Sequence, residues 1–263
     1  MTVIDVGPAL IKLDDALVRG GVPPLSPRWR AELLAFYASG AKLHAARVGR
    51  GGAKSTASVK AQIAEVLAGD WRVPPGERHW RMFISENLGE ARARLGQVEQ
   101  YLRILGVPFT VTGEQIHLSD LPLGFWVRAC RIGAVSGPRC VSYSVDEAAK
   151  LDVEGVNPAE ETCVSLRATT VTHPGARGRT FSSPVSTFDY HYGLIERGTT
   201  KDTFVSIGPT WEFNPSITEE QTHALESDES AGAVSTPRSQ CRRRHRPSTT
   251  KRSNAASFRG PRR

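Results

Sequence analysis

The chain has 263 residues, enough for one sizeable α/β domain or for one domain with an appendage, and no apolar run in it is long enough to span a bilayer. Its formal charge of +7 belongs to residues 226–263, where ten Lys or Arg face three Asp or Glu, while the other 24 basic and 24 acidic residues cancel, so the basic balance says nothing about the folded part. Cys130, Cys140, Cys163 and Cys241 lack any C-x-x-C spacing and the seven histidines form no H-E-x-x-H pattern, which argues against a zinc site or disulfide scaffold and for a soluble protein of a reduced, cytoplasmic compartment.

A short helix near Ala9 to Val18 is predicted first. Pro23, Pro24 and Pro27 then break the chain, so residues 1–27 read as a leader, 28–225 as the main domain and 226–263 as a basic disordered tail. A helix from about Arg28 to Ala38 follows. Next comes an apolar run from Leu43 to Val48, a helix-forming stretch from Thr56 to Leu67, and between them Gly49-Arg50-Gly51-Gly52-Ala53-Lys54-Ser55, which reads as a phosphate-binding loop. Glycines free successive backbone N–H groups to curl around a polyphosphate, Lys54 can reach its β and γ phosphates, and the Ser55 hydroxyl can sit on Mg²⁺. A helix starting there aims its positive end at the same anion. The usual pattern has Gly where this chain has Val48 and Ala53, and the plainer reading is a solvated loop.

Beyond Pro74-Pro75-Gly76 the pattern predicts a strand from Trp80 to Ser85, with Trp80, Met82 and Ile84 on one face. An amphipathic helix then carries Leu88, Ala91, Leu95, Val98, Leu102 and Leu105 to the core. Short strands follow near Gln115 to Leu118 and Phe125 to Gly133. Val141, Tyr143 and Val145 alternate as in a strand with one buried face, and Asp146 and Glu147 stand at its C-terminal end. Ligands of open α/β sheets collect at that edge. Neighbouring strand residues point to opposite faces, so the two acids have different jobs: in a P-loop enzyme the Asp helps hold Mg²⁺ and the next acid deprotonates the attacking water. Taken alone, such a pair more often complements a helix dipole, and it gains weight from the upstream loop. A strand is predicted around Cys163 to Thr170, a Gly- and Arg-bearing turn from His173 to Arg179, then Phe181-Ser182-Ser183-Pro184, a helix over Tyr190 to Arg197 and a strand over Thr203 to Ile207. Strands alternating with helices predict an α/β fold, a mainly parallel sheet flanked by helices on both faces.

The loop from Gly49 to Ser55, Val145-Asp146-Glu147-Ala148-Ala149, Phe181-Ser182-Ser183-Pro184, Pro209-Thr210-Trp211 and Asn214-Pro215 come in an order that resembles the ATPase domain of phage terminase large subunits, over about Arg28 to His223. The resemblance implies a P-loop NTPase of the ASCE type, with an additional strand and a catalytic Glu, in which the Ser-Ser-Pro strand lies between the loop strand and the acidic strand. It implies ATP and Mg²⁺, with Gly49, Gly51, Gly52, Ala53, Lys54, Ser55 and Thr56 around the phosphates, Ser55 and Asp146 at the metal, and Glu147 at the water. Ser182 or Ser183 would sense the γ-phosphate and couple hydrolysis to DNA movement. Arg50 resembles an arginine that stabilises the transferring phosphoryl group; Arg177 and Arg179 are alternatives serving a neighbouring subunit, with a solvated turn as their plainer reading. The implied partners are double-stranded DNA, a small terminase subunit, a portal ring and like subunits in a ring, in the host cytoplasm, with no membrane. The family's adenine-contacting Gln has no counterpart, because no Gln precedes Lys54.

Such motors continue into an RNase H-like nuclease whose carboxylates bind two metals. No Asp or Glu follows Glu229, so no such nuclease is expected there, and the change near Glu226 to an Arg, Ser and Pro mixture reads as a shifted reading frame on a truncated motor. Two other readings stand beside it. A helicase-like P-loop ATPase would want further motifs and a second lobe. An inert remnant, or a DNA-binding arm on a degraded ATPase, would bind nucleotide and DNA without packaging.

Overall fold

The strand Leu43–Val48 (β1) is buried at all six positions, which requires cover on both sheet faces and neighbours on both edges. The computed structural model supplies both; it describes residues 6–130, 135, 137–151, 158–185, 187 and 189–225. The other strands are β2 (His79–Ser85), β3 (Phe109–Thr112), β4 (Gln115–Leu118), β5 (Leu123–Ala129), β6 (Cys140–Asp146), β7 (Arg177–Ser182) and β8 (Thr203–Gly208). They form one sheet in the order β3-β4-β5-β2-β6-β7-β1-β8, parallel from β5 to β8 and antiparallel only at the β3-β4-β5 edge. β7, the Ser-Ser-Pro strand, lies between β1 and β6 as the resemblance implies.

Helices α1 (Val6–Arg19), α2 (Pro27–Ser39), α3 (Lys54–Ala68) and α4 (Leu88–Ile104) bury their apolar stripes with Ala46, Val48, Phe83, Phe125, Val141 and Phe181 in one core. α1 is part of that core. Its Asp14 and the Lys60 ammonium of α3 are both fully buried and 2.6 Å apart, which ties the first helix to the helix that follows the glycine-rich loop. On the other face, Trp80, Met82, Ile84, Tyr143 and Val145 pack against α5 (Pro158–Thr169) through Ala159, Cys163 and Leu166. Leu43 and Ala45 pack against α6 (Tyr190–Arg197) through Leu194 and Ile195. Two short helices, α7 (Thr210–Phe213) and α8 (Glu219–Leu225), end the described residues, among which no helix is long and apolar enough to cross a membrane.

Four expectations need correction. Residues 163–169, read as strand, belong to α5: Ala159, Cys163 and Leu166 recur at helical spacing on the buried side while Val164 is 60% exposed. β6 is buried on both faces, and a bulge opposite Trp80 and Arg81 turns Val141 into the α1–α4 core, away from Tyr143 and Val145. The strand expected over residues 125–133 ends at Ala129, and residues 131–134 lie outside the described ones. Arg177 and Arg179 are not in a turn but in β7, and both are buried.

Candidate active site at the carboxyl edge of the sheet

β1 ends at Val48 and the chain turns through Gly49 to Ala53 into α3. A Cβ on Gly49 would lie 2.3 Å from Thr210 Oγ1, one on Gly52 would lie 2.4 Å from Val48 Cγ1, and Gly51 has φ +83°. Any side chain there would displace the loop or its neighbours. Ala53 takes the left-handed conformation at φ +55° although it has a Cβ, at a cost of about 1–2 kcal/mol. The N-terminus of α3 has no side-chain cap. Its first-turn amides have no intrahelical acceptors, so they and the helix dipole favour an anion in front of Lys54.

Three side chains hold the carbonyl side of this loop. Trp29 Nε1 donates to Gly52 O at 2.8 Å, Thr210 Oγ1 to Arg50 O at 2.9 Å, and Asn214 Nδ2 to Gly51 O at 2.8 Å. A peptide whose C=O is fixed on one side presents its N–H on the other, so these contacts preset the loop's direction.

Lys54 lies inside the loop. Its Nζ donates to Val48 O and Gly49 O, both at 3.2 Å, and to Ser183 Oγ at 2.8 Å, and it stands 3.6 Å from Glu147 Oε1. Burial lowers its pKa, opposed by Glu147 and Asp146. Ser55 Oγ donates to Asp146 Oδ2 at 3.0 Å, so two oxygens suited to a hard divalent cation already face each other. Glu147, at φ +50°, is the other described non-glycine residue with left-handed backbone. Its carboxylate faces Lys54.

Glu147 Oε2 accepts from the Ser183 amide at 3.2 Å and the Ser182 hydroxyl at 3.4 Å, and the Ala149 amide donates to Ser182 Oγ at 3.1 Å. Burial would raise the Glu147 pKa, but Lys54, the Ser183 amide and Lys150 together bring it below the usual carboxylate range. An ionised carboxylate beside an ammonium, next to a loop of inward amides, can accept a proton from a water attacking a bound phosphate.

Lys54, Ser55, Asp146, Glu147, Ser182 and Ser183 thus meet at one edge of the sheet. Thr56 sits one position on and accepts from Gln97 Nε2 at 3.3 Å. Arg50 is exposed at the loop tip. Arg177 and Arg179 are elsewhere. The Arg179 guanidinium, fully buried, donates to Glu65 and to Tyr37 Oη, and the Arg177 guanidinium donates to Ala41 O and lies over the Phe36 and Tyr37 rings. Neither is placed to reach a neighbouring subunit, because both are buried, Arg179 on Glu65 of α3 and Arg177 on the Ala41 carbonyl. Arg94 of α4, whose Nε donates to Asp146 Oδ2 at 3.0 Å, carries no signal in the sequence, and Trp29 carries only that a buried indole needs an acceptor for its N–H.

No protein-family model and no curated protein matches the chain. Solved structures do. The HK97 bacteriophage large terminase aligns at TM-score 0.64 and 11% identity, over 81% of this chain and 48% of that one. The Thermus phage P74-26 large terminase ATPase domain aligns at TM-score 0.60 and 16% identity, over 78% of this chain and 93% of that one. The chain has the fold of a terminase ATPase domain. A third match, the large terminase of a thermophilic bacteriophage in complex with ADP, has TM-score 0.57 and 11% identity over 77% and 50% of the two chains. The chain therefore spans about half the length of the HK97 terminase and of the ADP-bound one, and nearly all of the isolated P74-26 domain. At such identities the likeness establishes the fold alone, and the chemistry rests on the residues above.

Proposed function

We propose that this chain is the ATPase motor domain of a phage DNA-packaging terminase, which hydrolyses Mg-ATP to move double-stranded DNA into a capsid. The observation that carries the reading is the position of Lys54 Nζ, inside the loop, 2.8 Å from Ser183 Oγ and 3.6 Å from Glu147 Oε1, with the Ser55 and Asp146 oxygens 3.0 Å apart beside it. Loop, acidic strand and Ser-Ser-Pro strand deliver these groups to one point, in the fold of terminase ATPase domains.

In this reading the amides of Gly49 to Thr56 and the Lys54 ammonium bind the substrate phosphates, and Ser55 and Asp146 hold Mg²⁺. When bound, the cation neutralises charge on the phosphate oxygens. Glu147 orients the attacking water and takes its proton. Ser182 and Ser183 fix Glu147 and Lys54 before substrate binds, so a γ-phosphate that draws Lys54 away changes both contacts at once and signals nucleotide state along β7. Arg50, free to fold over the loop, stabilises the transferring phosphoryl group. The small terminase subunit, the portal ring and a ring of like subunits are the partners of such a motor, working in the host cytoplasm.

The test is ATP hydrolysis with and without linear double-stranded DNA, using Lys54→Ala as control. DNA-stimulated turnover that the variant lacks is the expected result. Equal rates in both proteins would sink the assignment.

A further inference from the structure

Asp146 has a second partner that its place beside Ser55 does not require. Arg94, on the second turn of α4, puts its Nε 3.0 Å from Asp146 Oδ2, the same oxygen that accepts from Ser55 Oγ. The contact is one-pronged: among the described residues, Arg94 makes this hydrogen bond through Nε only, and its side chain stays 30% exposed. One turn further on, Gln97 binds both Thr56 Oγ1 of the phosphate helix and Tyr101 Oη, so α4 is anchored here independently of Arg94. An arginine built to hold two elements together would use its fork on both carboxylate oxygens. This one leaves its Nη groups unused at the mouth of the site.

We infer that Arg94 is a positioning residue that stands in for the divalent cation: it holds Asp146 by charge until metal and nucleotide arrive, and must be displaced from Oδ2 when they do. The inference rests on the nucleotide-site reading given above. Its physical content is competition between two cations for one carboxylate oxygen. Arg94 balances the charge of Asp146 in the resting protein, and it raises the Mg²⁺ concentration needed to complete the site. A part-exposed, one-pronged ion pair is weak enough for a divalent cation to displace. Lys54 and Lys150 remain to balance Glu147 after Arg94 has moved.

The test is equilibrium binding of mant-AMPPNP, a fluorescent non-hydrolysable ATP analogue, titrated with Mg²⁺ and repeated in EDTA. Arg94→Ala should lower the Mg²⁺ concentration for half-maximal enhancement by about threefold to fivefold, the equilibrium worth of such a pair, and leave affinity in EDTA unchanged. Arg94→Lys, which restores a cation, should shift the midpoint back toward the parent value. Asp146→Asn should lose the Mg²⁺ dependence. A midpoint in Arg94→Ala that is unchanged or higher, or an equal change with and without metal, overturns the role given to Arg94 while leaving the nucleotide site standing. Failure of the parent protein to bind the analogue under any condition overturns both.

Discussion

Trp29 Nε1 donates a hydrogen bond to the carbonyl of Gly52 across 2.8 Å, joining a fully buried indole on α2 to the middle of the glycine-rich loop. The ring is wedged between Phe181, at 5.3 Å and nearly parallel, and Phe213, edge-on at 4.8 Å. Phe181 precedes Ser182 on β7 and Phe213 belongs to α7, so one side chain touches three elements that border the site.

Trp29→Phe keeps most of that packing and deletes the donor. It should cost about 1–3 kcal/mol of stability, the usual penalty for a buried carbonyl left without its partner. It should also weaken nucleotide binding severalfold, because the Gly52 peptide is no longer fixed. Thermal unfolding and nucleotide titration of the same variant check both. A stability loss with unaltered affinity would make Trp29 core packing and nothing more.

Lys54 and Glu147 are 3.6 Å apart, but their roles separate under mutation. Lys54→Ala removes the compact cation that reaches the β and γ phosphates, so tight Mg-ATP binding should be abolished. Glu147→Gln keeps size and hydrogen-bonding capacity while removing the base, so binding should survive and hydrolysis slow by about 10² to 10⁴. If both variants lose binding equally, Glu147 does not have the role of a base.

Much of this site is legible in the sequence because its chemistry lies in short contiguous runs. The loop from Gly49 to Ser55, the Asp146 and Glu147 pair and the Ser182-Ser183 pair each carry local backbone requirements, and the fold brings the three together at adjacent strand ends. What is not legible depends on distant pairing. Arg177 and Arg179 look like solvent residues until the Ala41 carbonyl and Glu65, each more than a hundred positions earlier, are placed against them in turn. α5 reads as a strand because apolar Val164, Leu166 and Ala168 alternate with polar Ser165 and Arg167, whereas its helical stripe shows only against β6. Trp29 and Arg94 reach the site across the fold, and nothing near them in sequence announces it.

Arg50 is the remaining cation of the loop. Its carbonyl is pinned by Thr210 while its side chain is exposed, so the backbone is fixed and the guanidinium can turn. Phosphoryl-transfer arginines contribute on the order of 10³ to 10⁵ in rate, so Arg50→Ala should cut turnover far more than affinity. Single-turnover kinetics beside nucleotide titration separate the two. Near-parental kinetics would leave Arg50 a loop residue, and the buried Arg177 and Arg179 could not take its place.

Acid should destabilise the protein in two stages. His191, buried behind β7 with its Nε2 on Thr180 O, is pushed down to about 4 by burial and by Arg47. Burial alone would raise Glu65, but Arg179 and Arg81 hold it at about 2. Both folded values lie below the ordinary ones of 6.5 and 4.5. The unfolded chain therefore binds the proton more readily in each case, and stability is fully present above the ordinary value and lost as pH falls toward the folded one. The first loss, below about pH 6.5, belongs to His191 with the likewise depressed His44, His117 and His173, and the second, below about 4.5, to Glu65 with Glu147. His191→Gln can keep a donor on the Thr180 carbonyl without titrating, so it should flatten the fall in unfolding temperature between pH 7 and 5 by the equivalent of roughly 1–2 kcal/mol. The Glu65 limb at lower pH should be untouched. An unfolding temperature that falls as steeply in the variant as in the parent between pH 7 and 5 would show that His191 titrates normally in the folded protein, and that the first stage has another source.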